Sequence, residues 1–507
     1  MEVRRKLLAD EKVLFPKELV HIFELFRLAN KEIYLVGGGV RNILLTKVPV
    51  NCDLTTSATP EEIQEITKEY EPYYENDFGT VGMAIGDDLP AGRQEVYEIT
   101  TYRSEGGYTD FRHPDEVVWG KTLEEDVARR EFTVSAIVIG PMPHPSAVAD
   151  SLSVDTERGK WNFELVDLVG GMKDFEDGII RTVGEPEARF GEDALRMMRA
   201  IRLAATLSFR IENATLAAIS TKAPLLAKIS HERVRDELLK ILGSNYPSDG
   251  VRLLISTGLM EYIIPEILVA RGVDQTGHHT LDVLDHMLTS LEYCPSRDPI
   301  VRLATLLHDV GKPASKRYHC INCGGLIKEN TTLDGMLICP KCQTSQSPHS
   351  SATFYGHEVI GARMVEKIAD DLRLSAKEKT KLVTLVRWHM FAYQPEMTDA
   401  SIRRFIKRVG KENINDMIML RIGDRKGGGS KTTSWRLMEF QKRIGEQLYE
   451  PMEINDMVIN GKDVMETLSI KPGPKVGQVL KQLFEEVIED TGKNTREYLI
   501  DRVKALA

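Results

Sequence analysis

The sequence predicts an α/β domain with a mixed sheet, followed by a mostly α-helical remainder that carries one small cysteine-rich insertion. Three observations support this. Short apolar runs of strand length alternate with helical patterns over residues 1–145. From Glu185 onward the pattern is almost wholly helical. Four of the six cysteines fall inside residues 318–352, an island rich in Gly, Thr, Ser and Asn that reads as an insertion between two helices. At 507 residues the chain exceeds one core, and domains of ~100–200 residues give three or four.

Taken in order, residues 32–36 (Glu-Ile-Tyr-Leu-Val) read as a buried strand cut off by Gly37-Gly38-Gly39. Leu54, Val81–Ile85, Val96–Tyr102 and Phe132–Val138 read as further strands. Between them Pro60–Tyr70 has a helical pattern with Thr59 as N-cap. A loop rich in Pro, Ser and Asp follows over Gly140–Asp155. Hydrophobic content of 42% and charged content of 28% suit a folded chain and exclude wholesale disorder. No run approaches the ~20 apolar residues that span a bilayer, and the first residues lack an apolar segment of signal-peptide length. The expected location is cytoplasmic.

A net charge of −10 excludes a globally basic nucleic-acid coat. Locally, Arg403 to Arg443 holds 12 Lys/Arg against 4 Asp/Glu, a net +8. That stretch reads either as a solvated helical face or as a phosphate-backbone contact.

Three groups of residues carry chemistry. The glycine triplet between a strand and a helix lets backbone N–H groups approach an anion, although an ordinary tight turn has the same pattern. Nine residues past Asn42 comes Asn51-Cys52-Asp53-Leu54-Thr55. On a strand, alternate side chains share a face, so Asn51 and Asp53 are expected to converge. Glu98 is a third acidic group on another strand. Second, His286, His308-Asp309 and Asp424 offer imidazole and carboxylate ligands that together suit a divalent metal, with His357 and His389 as further candidates for a second ion or for phosphate binding. His278 and His279 read as ordinary surface or core histidines. Third, Cys320-x2-Cys323 and Cys339-x2-Cys342, fifteen residues apart, have the spacing of a closed tetrahedral zinc site, so structural Zn2+ in a ribbon is expected.

The motifs Gly37-Gly-x-Val-Arg41, Asn51-Cys-Asp53-Leu-x-Thr, Phe78-Gly79-Thr-Val and Glu98-Ile-Thr-Thr-Tyr-Arg103 resemble the head of the bacterial class II CCA-adding tRNA nucleotidyltransferase and poly(A) polymerase family. The resemblance continues through Glu125-Asp-Val-Ala-Arg129-Arg130-Glu131-Phe-Thr133, Asp167-Leu-Val-Gly-Gly171 and Gly191-Glu192-Asp193-Ala-Leu-Arg196-Met-Met-Arg199. It reaches the tail at Ile459-Asn-Gly-Lys-Asp463 and Lys471-Pro-Gly-Pro474. The ordering of His286, His308-Asp309 and Asp424 resembles the HD phosphohydrolase superfamily.

The resemblance implies a nucleotidyltransferase head (1–145), a helical neck and body (146–270), an HD domain (271–430, with the ribbon at 318–352) and a helical tail (431–507). It implies addition of CCA, or of A, to tRNA or other RNA 3′ ends from CTP and ATP, with Mg2+ at the head. Asn51, Asp53 and Glu98 fall on the catalytic, metal-holding positions. Gly37, Gly38, Arg41, Arg103, Arg130 and Arg199 fall on nucleotide-binding positions, and Glu192, Asp193 and Arg196 on base selection. His286, His308, Asp309 and Asp424 are expected to hold a divalent transition metal or Mg2+.

The chain departs from the family pattern at Asn51 and Asn42, where the pattern has Asp, and at Glu131 and Ser135, where it has Asp and Asn. An amide oxygen ligates Mg2+ without charge, so Asn51 removes a full negative charge from the metal site. Two other readings stay open at this level: a phosphohydrolase acting on RNA ends or cyclic nucleotides with a weakened head, and an RNA-binding factor without catalysis.

Overall fold

The computed structural model describes residues 3–7, 15–49, 51–76, 79–85, 95–105, 117–141, 163–275, 281–327, 332–333, 336–348, 352–430 and 434–506. Phe78, His278 and His279 lie outside these, as does most of the Gly140–Asp155 loop. Two compact units are present. One comprises Met1–Glu237 with Leu253–Tyr262, the other Leu238–Arg252 with Ile263–Ala507.

In the first unit, the sheet runs Val3–Leu7, Phe163–Asp167, Val138–Pro141, Ile33–Val36, Asp53–Thr56, Glu95–Thr101, Thr80–Ile85, Tyr73–Asn76. It is mixed, as the sequence predicts. The pairing of Asp53–Thr56 with Glu95–Thr101 is parallel and the other pairings are antiparallel. The sheet draws one strand from Phe163–Asp167, past residue 145.

One face buries Ile33, Leu35, Leu54 and Ile99 against the helix Lys17–Leu28. Leu19, Ile22, Phe23 and Phe26 recur on that helix at the 3.6-residue period and are fully buried. The other face packs Tyr34, Val36 and Val138 against Leu123 and Val127 of the helix Leu123–Ala128. Alternation along Asp53–Thr56 sends Leu54 into the first core and turns Asp53 to the opposite face. The expected helix at Pro60 shortens to Pro60–Ile66, followed by a 3-10 turn. Thr59 caps it by accepting from Glu62 N, and the Glu62 carboxylate returns to Thr59 N at 3.0 Å.

The strand expected over Phe132–Val138 begins only at Val138. Thr133–Ser135 forms a 3-10 turn instead, because Thr133 Oγ1 donates to Asp174 Oδ2 at 2.7 Å. Gly171 also packs onto the Thr133 carbonyl so closely that a β-carbon there would stand 2.2 Å from it. Asp167 holds that corner by accepting N–H groups from Val169, Gly170, Gly171 and Met172 at 2.9–3.1 Å.

The second unit is helical apart from the cysteine-rich insertion. Asp282 caps Val283–Glu292 and Asp298 caps Pro299–Leu307, so both helices deliver a histidine from an apolar, buried stretch. Part of the basic stretch 403–443 is committed internally. Arg403 is buried and donates to the carbonyls of Ile488 (2.7 and 2.9 Å) and Glu489 (3.1 Å) and to Gln447. Arg404 pairs with Glu489, Arg421 with Asp424 and Arg443 with Asp399. Arg403→Met orphans these carbonyls and the Gln447 amide. It is expected to cost about 3 kcal/mol of stability, read as a lowered denaturation midpoint of the unit. Among the described residues, no helix is long and apolar enough to cross a membrane.

Candidate functional site

In the head, Val36, Asp53 and Glu98 occupy one transverse line across three neighbouring strands. Register partners point to the same face, so the two carboxylates are adjacent. The chain leaves Val36 straight into the helix Gly37–Leu44, whose first residue has φ +63°. A β-carbon at Gly37 would lie 3.5 Å from Asp53 Oδ2, and one at Gly38 3.9 Å from Arg41 Nη2. The glycines thus form the first helical turn beside the carboxylate. Arg41, on the same helix, donates to Ser135 Oγ at 2.8 Å. Burial and the neighbouring Arg202 bring its guanidinium down to about 10, against the pull of Asp53 and Glu131.

Asn51 is not where strand alternation put it. The strand begins at Asp53, and Asn51 stands before it at φ +52°, a conformation Asn tolerates better than most residues. Its Oδ1 accepts the Val96 N–H at 3.3 Å. The amide therefore ties down the start of the Glu95–Thr101 strand instead of converging with Asp53.

Arg103, on the strand Arg103–Glu105, donates to Thr80 Oγ1 at 3.1 Å. Arg129 and Arg130 both reach the fully buried Asp126, at 2.6 and 2.8 Å, and hold its carboxyl below the usual range against the effect of burial. In the neck, Glu192 ends the helix Pro186–Glu192, Asp193 is extended, and Arg196 lies in the first turn of Leu195–Leu207. Glu192 pairs with Arg189 at 3.1 Å and with Arg196. Asp193 accepts from Leu195 N and from Arg233, each at 2.9 Å. Arg199 pairs with Glu131, and Arg202 Nε meets Glu237 Oε2 at 2.6 Å. Glu192, Asp193 and Arg196, the positions expected to select the base, are therefore close in the chain and each tied by an ion pair.

In the second unit, His286, His308, His357 and His389 gather around Asp309, all buried. Asp309 Oδ2 lies 3.2 Å from Nε2 of both His286 and His308, and Oδ1 3.2 Å from His357 Nε2 and 3.8 Å from His389 Nε2. Asp424 Oδ1 is 3.4 Å from His286 and 3.5 Å from His308. The Nδ1 atoms of His308, His357 and His389 bond carbonyls at 2.7–2.9 Å, which turns each Nε2 toward the centre. Adjacent ligands on an octahedral ion with ~2.1 Å bonds stand about 3 Å apart, so the residues fit two ions sharing Asp309. Burial would raise Asp309, but His308 and Lys312 hold it well below the usual range. Burial also opposes charge on His308, yet Asp309 and Asp424 keep that imidazole up at about 10. Burial and that charge together push His389 down to about 3.

The four thiols of the insertion lie within 4.8 Å of one another. Cys320 and Cys342 Sγ are 3.4 Å apart, and Cys323 and Cys339 Sγ 3.6 Å. A tetrahedron with ~2.3 Å Zn–S bonds has edges of about 3.8 Å, so the donor set fits zinc. Thr344, through its hydroxyl and its backbone N–H, draws the Cys342 thiol down to about 6. Cys342→Ser is expected to remove about one zinc per chain, measured by elemental analysis after dialysis, and to expose the insertion to protease.

Comparison with known proteins bears on the whole chain. Residues 33–181 match the Poly A polymerase head domain, 208–270 the probable RNA and SrmB-binding site of polymerase A, 276–425 the HD domain, and 363–503 the putative tRNA nucleotidyltransferase domain 2. A CCA-adding enzyme of Ligilactobacillus salivarius is 30% identical over 97% of this chain and 96% of its own. The chain belongs to the CCA-adding enzyme family. Another CCA-adding enzyme, from Pediococcus pentosaceus, is 28% identical over 94% of this chain and 95% of its own. Among solved structures, the Bacillus stearothermophilus CCA-adding enzyme in complex with CTP shares the fold. Its TM-score is 0.63 at 22% identity, and each chain is covered over 97%.

Within this CCA-adding family member, sequence reasoning passed over Arg233 and Glu237. They stand four apart on the helix His231–Leu242 and face Asp193 and Arg202. Their only sequence signal is that i, i+4 spacing, which any solvated helix shares. Lys312 was also missed as a site residue. It reaches Asp309 Oδ2 at 2.6 Å.

Proposed function

We propose that this chain adds CCA to tRNA 3′ ends from CTP and ATP, without a nucleic-acid template, in the cytoplasm. The observation that carries the reading is the side-by-side placement of Asp53 and Glu98 at the Gly37 turn, in a chain aligned almost end to end with a CCA-adding enzyme. Asp53 and Glu98 would hold Mg2+, while the Asn51 amide stays on the Val96 N–H. An ion held by these two carboxylates would supply positive charge for the α-phosphate, the centre at which the RNA 3′-hydroxyl displaces pyrophosphate. The backbone of Gly37 and Gly38 and the cation of Arg41 take the triphosphate, flanked by Arg103 and Arg130. Glu192 and Asp193 accept from an exocyclic amine, and Arg196 donates to a ring nitrogen or carbonyl. Arg199 braces that helix through Glu131.

The test is purified protein with tRNA lacking its CCA end, Mg2+, CTP and ATP. Three nucleotides are expected to be added, and no extension at high enzyme concentration overturns the proposal. Beside it, Asn51→Asp is expected to change the rate by less than about threefold. The side-chain oxygen stays on Val96 N–H, and that bond strengthens with charge. A gain of a hundredfold would mean that position 51 faces the metal after all.

One observation favours a second activity: two imidazole pairs share Asp309. On this reading the HD cluster holds two divalent transition-metal or Mg2+ ions and hydrolyses phosphate esters of nucleotides or RNA ends. The four cysteines hold structural zinc.

A further inference from the structure

The cysteine-rich insertion leaves and re-enters the HD unit between two members of the metal cluster. It departs after Asp309 and Lys312 and returns just before His357. Its two ends pair as antiparallel strands, Arg317 opposite Thr353 and Tyr318 opposite Ala352. The chain then turns sharply. His357 N donates to Phe354 O at 3.3 Å, and Gly356 has φ +73°, which suits the third position of such a turn. Both ends of this turn touch the cluster. The Phe354 carbonyl bonds His357 Nδ1 at 2.9 Å, the Phe354 ring lies 5.9 Å from Lys312 Nζ, and His357 faces Asp309.

Tyr355 forms the apex and is 83% exposed. Two residues of chain reach at most ~7 Å, so the Tyr355 backbone lies within that distance of the backbone of His357, a member of the cluster. It is also held from one side. The His319 ring meets it edge-on at 6.4 Å between centroids. His319 is itself fixed by Thr353 Oγ1 at 3.0 Å and, through its carbonyl, by Gln346 at 2.8 Å. A large aromatic ring left open to solvent, buttressed by a second ring and carried on a turn whose two ends meet a cationic lysine and one of the clustered imidazoles, has the parts of a platform for a base next to a phosphate site.

Resting on the hydrolase reading of the HD cluster, we propose that Tyr355, braced by His319, stacks the base of a nucleoside phosphate ester while its phosphate lies at Asp309 and Lys312. Tyr355 thereby selects nucleotide substrates over base-free esters. For a cyclic phosphodiester the step is a hydrolysis. Water adds to phosphorus, one P–O ester bond breaks, and the departing ribose oxygen takes the proton, giving a monoester with no change of oxidation state. Tyr355 takes no part in bond breaking and acts on binding.

The test uses the full chain, loaded with Mn2+, on adenosine 2′,3′-cyclic phosphate and on glycerol 1,2-cyclic phosphate, which has the same ring and no base. Tyr355→Ala is expected to lower the ratio of kcat/KM for the nucleotide over the base-free ester about tenfold through KM, and Tyr355→Phe to restore it. The Kd of adenosine 3′-monophosphate, by calorimetry, should weaken by a similar factor in the Ala variant. If the wild type hydrolyses neither ester, the hydrolase reading falls and the platform with it. If both are hydrolysed but the ratio and the Kd stay unchanged in Tyr355→Ala, the hydrolase reading stands and the role of Tyr355 is overturned.

Discussion

Asp53→Asn lowers CCA addition about a thousandfold while leaving the fold intact. The residue lies exposed at the end of its strand, so an isosteric amide disturbs no packing. It removes one of the two carboxylates that meet at the Gly37 turn and the charge that faces Arg41 and Arg130. A loss of ~4 kcal/mol in transition-state stabilisation is a factor of about a thousand. The initial rate of labelled AMP incorporation into tRNA ending in CC checks it, with thermal denaturation as the control for folding. A rate within tenfold of the unaltered chain would mean that the metal is anchored elsewhere.

Asp309→Asn gives the second large effect, in the other unit. The carboxylate presents Oδ2 to His286 and His308 and Oδ1 to His357 and His389. An amide keeps an oxygen on one side only, so one of the two ion sets loses its ligand. The expected result is a fall from two non-zinc ions per chain to one or none, by elemental analysis, with ester hydrolysis reduced at least about a thousandfold. CCA addition by the same preparation should stay within twofold, because Asp309 belongs to a different compact unit from Asp53. A variant that retained both ions would refute the shared-ligand arrangement.

Much of this was legible from residue order. The buried HD cluster was readable because His286, the adjacent pair His308-Asp309 and Asp424 come in a recognisable order, and the cysteine spacing needs no tertiary information. Glu98 was found because a strand pattern surrounds it, although only the parallel pairing makes it a neighbour of Asp53. What escaped has physical causes. Alternation predicts a shared face only while the backbone is extended, and Asn51 lies in the left-handed region, where that rule fails. The Phe132–Val138 stretch has strand composition, but Asp174 and Gly171, about forty residues away in sequence, impose a turn on Thr133. Within 403–443, which read either as a solvated face or as a phosphate contact, Arg403, Arg404 and Arg443 meet partners at 488, 489 and 399 that no local pattern announces.

The stem that closes the cysteine-rich excursion has a consequence for how such a chain is assembled. Because Arg317 and Thr353 already face each other across one strand spacing, about 5 Å, everything between them hangs from a junction that a tight turn would also close. The intervening residues add little closure entropy to the helices on either side. The thiol-bearing lobe is thus a detachable attachment, free to be gained, lost or exchanged over a lineage while the helices that supply Asp309 and His357 keep their positions.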